Sequence, residues 1–144
     1  MSDIHIDPTP EQFQAFKDLP RDMPIQMLNL VRFRDLAAYP VGHELAAEPL
    51  TGAQAYKNYG ALTGSLLEGV GGSILWRGRF EATLIGPSDE AWDAVFIAQY
   101  PNAGAFLAMI TSAEYQKAVV HRNAAVLTSR LTRCAPTGGG TTFG

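Results

Sequence analysis

The stretch from Trp92 to Arg122 constrains the fold most strongly. It reads WDAVFIAQYP, then NAGAFLAMI and, after one threonine, SAEYQKAVVHR. Val95, Phe96 and Ile97 lie in a near-continuous apolar run between Asp89-Glu90 and Pro101-Asn102. Such a run predicts a central strand covered on both faces. Asn102 and Ser112 are placed to cap two successive helices. On the second helix the 3.6-residue period puts Tyr115, Val119, Arg122 and Val126 on one stripe, flanked by Ala118 and Ala125. Glu114, Lys117 and Ala124 fall towards the other side. Arg122 therefore points where apolar residues point. A guanidinium stays charged at any accessible pH and needs a carboxylate, an anion or solvent. Asp93, on the strand, is the expected partner.

A chain of 144 residues supports one domain with a real core. No apolar run approaches the ~20 residues that cross a bilayer. The opening MSDIHIDPTPEQF is acidic and lacks a signal-peptide layout, so a cytoplasmic location is expected. The single cysteine, Cys134, excludes an internal disulfide framework and a multi-thiolate metal site, and reads as inert. A net charge of −3, with Lys and Arg scattered, argues against nucleic acid as a partner.

Thr9-Pro10-Glu11-Gln12 is a capping box with proline at the first helical position; Phe13 and Phe16 follow, and Leu19-Pro20 ends the helix. IQMLNLVRF then alternates as a strand, with Ile25, Met27, Asn29, Val31 and Phe33 on one face. If Asn29 is buried, its amide needs partners, either from nearby backbone or from a ligand. Residues 34–50 form a long loop punctuated by Pro40, Gly42 and Pro49, a length often found in lids and binding loops. His43-Glu44 within it reads as a solvated dipeptide.

Thr51 and Gln54 make a second capping box, opening a helix to Glu68 with Tyr56, Tyr59, Thr63, Leu66, Leu67 and Val70 on its inward stripe. Two phenols one turn apart suit either satisfied core tyrosines or a pocket. The GVGG run at 69–72 follows a helix and precedes a strand, the reverse of a phosphate-binding loop. SILWRGRF and FEATLIG are expected as strands in hairpin relation, ahead of the Trp92 strand and its two helices. LTSRLTRCA completes the sheet as a short edge strand, and the residues from 137 on form a flexible tail.

This succession is the split βαββα pattern of a ferredoxin-like α+β domain with an antiparallel sheet. The expected organisation is an N-terminal helical extension at 1–22, the domain at 23–135 and the tail at 136–144. Helices cover one sheet face only, so a second copy of the sheet is the economical cover for the other, giving a homodimer.

The MLNL of the first strand, the tyrosine-bearing helix, GG-S-I-L-W-R-G, WDAVFIAQYPN, SAEYQ and HR-NAA together resemble the domain of unknown function 1330 family, within the dimeric α/β-barrel superfamily. The resemblance runs over roughly residues 24–133 and implies a ferredoxin-like protomer whose sheet pairs with a partner's to form a dimeric α/β barrel. It brings no established reaction. Relatives in the superfamily include cofactor-independent monooxygenases, muconolactone-type isomerases, small lyases and haem enzymes, an analogy at the level of fold. No residue stands out as a proximal haem histidine; His121 falls at the edge of its stripe.

Nucleophile elbows, P-loops, H-E-x-x-H and CxxC pairs are absent, and His5, His43 and His121 are too scattered in sequence to make a metal site. The enzyme reading is therefore free of metal and cofactor: a small aromatic or apolar acid held by Arg122, hydrogen bonds from Asn29 and Tyr59, walls from Trp76 and Trp92, and a proton moved by His121 or Asp93. Isomerisation, lyase chemistry and cofactor-free oxygenation all fit. The alternative is a non-catalytic small-ligand-binding or accessory protein on the same dimeric fold. In a third reading Arg122 and Asp93 simply pair within the protomer.

Overall fold

A computed structural model describes residues 4–144. Residues 1–3, the start of the expected extension, lie outside the described residues. The elements are α1 (Pro10–Asp18), β1 (Ile25–Phe33), α2 (Gly52–Gly69), β2 (Ser73–Gly78), β3 (Ala94–Tyr100), α3 (Ala103–Ile110), α4 (Ala113–Ala125) and β4 (Val126–Cys134). The four helices start where the capping chemistry predicts. Thr9 and Thr51 accept from the backbone of Gln12 and Gln54 in reciprocal capping boxes, and Asn102 and Ser112 cap α3 and α4. α2 ends at Gly69 with Val70 as its cap, and the chain turns away at Gly71, whose φ of 82° only glycine adopts cheaply.

The sheet order is β2-β3-β1-β4, and every neighbouring pair is antiparallel. Without α1, the element order and this strand order are those of the ferredoxin-like α+β fold. β1 is central: Leu28 faces Ile97 on β3 and Thr132 on β4. The pleat sends Ile25, Met27, Val31, Ala98 and Tyr100 towards the helices. They form two core clusters, one with Ala103 and Met109, the other joining Val31 to Ala55, Ala124, Ala125 and Val126. Gln26, Leu28, Leu30, Val95 and Ile97 fall on the opposite face, outside both clusters. Trp76, half exposed, pairs with Ile97 on that open face.

Two expectations change. FEATLIG forms no strand; β2 pairs directly with β3, so the edge that FEATLIG needed is taken by the longer apolar run. Leu84 and Ile85 instead project into solvent, 96% and 94% exposed. The loop is tied by Thr83 Oγ1 donating to the Glu90 carbonyl (2.8 Å). Ala124, placed by the helical period on the outward side, is buried because the 34–50 loop lies over that side of α4, with the Ala38 N–H donating to the Ala124 carbonyl (2.8 Å).

β4 takes the edge position expected of LTSRLTRCA, one residue earlier at Val126–Cys134, and its outer edge is partly covered. The Ser129 N–H donates to the His5 carbonyl (2.7 Å), and the His5 N–H donates to Thr128 Oγ1 (3.0 Å). This strap satisfies edge groups that would otherwise invite another chain. Residues of α1 pack on the helix-side core through Phe16, whose ring sits 5.2 Å from Phe106. No helix among the described residues is long and apolar enough to cross a membrane.

Candidate functional site

Consecutive positions on a helix project about 100° apart, so His121 and Arg122 on α4 serve different neighbourhoods. Arg122 points towards α2 and the N-terminal strap. Its NH1 donates to the Ile6 carbonyl (2.8 Å) and NH2 to Ser129 Oγ (3.2 Å). Beside it the α2 and α4 phenols form a chain: Tyr56 and Tyr59 rings lie 5.4 Å apart, and the Tyr59 and Tyr115 hydroxyls share a hydrogen bond at 2.8 Å. Burial pushes the Tyr56 hydroxyl up to about 12, with Arg122 pulling the other way. Burial, then Tyr115, raises Tyr59 well above 10. Both phenols therefore stay protonated near neutral pH.

The expected Arg122–Asp93 pair does not form. Asp93 is exposed, and its Oδ2 accepts from the Phe33 N–H at 2.8 Å, holding the turn into β3 against the end of β1. Arg122 is satisfied by neutral oxygens of the strap and of β4. Arg122→Met is accordingly expected to cost on the order of 1–3 kcal/mol, chiefly through the stranded Ile6 carbonyl, since the Ser129 hydroxyl keeps its bond to the His5 carbonyl (2.9 Å). In urea denaturation the effect should add to that of Asp93→Asn. A coupling between them above about 0.5 kcal/mol would restore the ion pair as an explanation.

His121 faces the 34–50 loop. Its Nδ1 lies 2.6 Å from the Tyr39 hydroxyl, and the Tyr39 ring stacks on His43 at 4.8 Å. His43 stands edge-on to His121, with ring centroids 5.9 Å apart. The loop holds this geometry by local bonds: the His43 N–H donates to the Pro40 carbonyl (3.0 Å), and the Leu45 N–H donates to His43 Nδ1 (3.0 Å). Desolvation and then the nearby His43 lower the His121 pKa below 6.5, while Glu44 opposes them. The imidazole is thus neutral near pH 7. Its Nε2 makes no hydrogen bond among the described residues. With Nδ1 tied to Tyr39, Nε2 can accept a proton in one tautomer and donate one in the other.

The seven residues singled out by sequence do not meet at one place. Asn29 Nδ2 donates to the Met27 carbonyl at 3.0 Å, the nearby-backbone solution. The Tyr59 hydroxyl shares its hydrogen bond with Tyr115. Trp76 is on the open sheet face, and Trp92 lies under Arg130 with 5.4 Å from guanidinium carbon to ring centre. Tyr39 and His43 were missed. His43 is half-buried, not a solvated loop residue, and only the loop's fold brings it to His121. Among the described residues no group of three or more His, Cys, Asp or Glu side chains could hold a metal ion. Cys134 is free and exposed at the end of β4, so Cys134→Ser is expected to change stability by less than about 0.5 kcal/mol in thermal or urea unfolding.

The strand order and the helices on one face define a ferredoxin-like protein, with the Tyr39–His43–His121 cluster on α4 and the loop over it. The chain belongs to the domain of unknown function 1330 family, which it matches over residues 42–131. It is similar to a crystal structure of a protein of unknown function from Rhodopseudomonas palustris, a structural genomics target, at 50% identity and a TM-score of 0.87, over 95% of this chain and 100% of that one. A methylated form of that protein matches at 51% identity and a TM-score of 0.88, over 96% and 98% of the two chains. No curated protein matches.

Proposed function

We propose that the protein is a homodimeric, cofactor-independent enzyme that moves a proton on a small aromatic or apolar acid, as an isomerase or lyase does. The observation that carries this reading is the Tyr39–His121 contact: a neutral imidazole, oriented through one ring nitrogen, with the other unengaged. That is what a general acid–base needs near neutral pH. It favours His121 over Asp93 as the proton carrier, because Asp93 is committed to the Phe33 N–H. Arg122, next along α4, bonds only neutral oxygens among the described residues but faces the strap rather than His121, so the acid class of substrate is what the panel below decides.

The dimer is supported by the open sheet face. Leu28, Leu30, Val95 and Ile97 lie together there, with the half-exposed Trp76 beside them. Such a patch is normally covered. Sedimentation of the wild type is expected to give a dimer at micromolar concentration and Ile97→Lys a folded monomer; a monomeric wild type would remove the dimer.

The chemistry is tested by incubating the protein in D2O with a panel of small aromatic and apolar acids bearing an activated C–H, and following deuterium uptake by NMR. At least one acid should exchange with the wild type and not with His121→Gln. No exchange across the panel, or equal exchange by the variant, overturns the catalytic reading. Binding without exchange would leave the non-catalytic ligand-binding alternative.

A further inference from the structure

On the far side of the domain from His121, an open cavity of about 450 Å³ lies between the end of α1, the start of β1 and the end of β4. Its volume is in the range of small-molecule sites. Ile25 closes it towards the core, and Leu19 and Met23, each about half exposed, stand at its sides. Pro20, Pro24 and Pro136 each hold their own φ in the surrounding backbone, which limits how far these walls can move. The walls are apolar apart from one charged group, Arg133.

Arg133 is held in place. Its guanidinium lies over the Phe16 ring at 4.9 Å, NH1 donates to the Phe16 carbonyl (3.2 Å), and NH2 donates to the Pro20 carbonyl. These bonds use two of five N–H groups, and both acceptors are neutral. No carboxylate among the described residues pairs with it. The cavity thus presents apolar surface ending in one fixed, unneutralised cation with donors to spare. One cation matches a single negative charge; a phosphate ester or dianion would call for more.

We propose that this cavity binds a small apolar monocarboxylate of the medium-chain fatty-acid type, with its carboxylate on Arg133 and its chain along Leu19, Met23 and Ile25. The site is independent of the catalytic reading above, since it shares no residue with the Tyr39–His121 pair.

Calorimetric titration of the full chain with octanoate and with 1-octanol tests it. Saturable one-to-one binding of octanoate is expected, at least tenfold tighter than octanol. Met23→Asp, which sets a like charge at an exposed position on the cavity wall, should weaken octanoate at least tenfold and change octanol little. Arg133→Gln, which keeps an amide donor for the Phe16 and Pro20 carbonyls, should erase the preference for the acid. Because Met23 makes no fold-holding bond, its variant decides the matter even if Arg133→Gln loosens α1. His121→Gln should bind octanoate as the wild type does. No binding, equal affinity for acid and alcohol, or octanoate binding lost in His121→Gln but kept in Met23→Asp would overturn the proposal. So would a change of oligomeric state in place of one-to-one binding.

Discussion

Gly52→Ala is expected to lose on the order of 3 kcal/mol or more of stability, a large share of the roughly 5–15 kcal/mol that holds a domain together. Gly52 is the first residue of α2, at the point where the end of β1 and the end of α4 converge. A Cβ there would lie 2.1 Å from the Arg34 carbonyl oxygen, 2.8 Å from the Arg34 nitrogen and 2.9 Å from the Ala125 carbonyl oxygen. All three are backbone atoms, so no rotamer change relieves the overlap; a whole element has to move. That movement would also disturb the Gly52 N–H bond to the Arg34 carbonyl (3.1 Å) and the Arg34 N–H bond to the Ala125 carbonyl (2.8 Å). Gly60, in the same helix, has nothing within 4 Å of its Cβ position. Gly60→Ala should therefore stabilise by about 0.5–1 kcal/mol, as alanine does in a helix interior. Urea denaturation of the two variants reads the contrast, and a Gly52→Ala protein within 1 kcal/mol of wild type would refute it.

His121→Gln is expected to reduce proton exchange into the substrate acid by about 10²–10⁴-fold, the usual worth of a positioned acid–base group. The wild-type rate should also fall on the acid side, since protonating the imidazole removes its lone pair. That limb should lie below pH 6.5, because burial and His43 lower the His121 pKa from that value. The same shift has a stability consequence. The unfolded chain binds the proton more readily, so the contribution of neutral His121 is fully present above pH 6.5 and is lost as pH falls through the lowered pKa. In His121→Gln both the rate limb and this part of the acid destabilisation should disappear. A wild-type rate that is flat from pH 8 down to 5, or a variant with the same acid limb, would assign the proton to another group.

The helices were legible because their signals are local. Thr9, Thr51, Asn102 and Ser112 cap within three residues of themselves, and the stripe from Tyr56 to Val70 repeats every turn. FEATLIG failed for the opposite reason. Its alternation suits a strand, but a strand needs an edge, and which segment takes the β2 edge is decided by residues 94–100. Arg122 was placed correctly on its stripe and given the wrong partner. Helical periodicity states a direction, whereas the oxygens at the end of that direction belong to Ser129, beyond the turn into β4, and to Ile6, 116 residues away along the chain. The Tyr39–His43–His121 cluster was least visible, because a loop with three punctuating residues carries no period from which to infer where its side chains go.

The central position of β1 also bears on how quickly the chain can fold. Both of its partners come late: Met27 is paired with Ala98 on one side and Arg133 on the other. Neither pairing can form until a segment of some seventy to one hundred residues has been closed into a loop, which costs entropy before any sheet contact repays it. The α2–α4 helices and their caps are cheap to form, yet the strand they shelter against waits for the whole chain. Folding should therefore be slower than helix content alone suggests, with the transition state reached when the β3 and β4 segments arrive on β1.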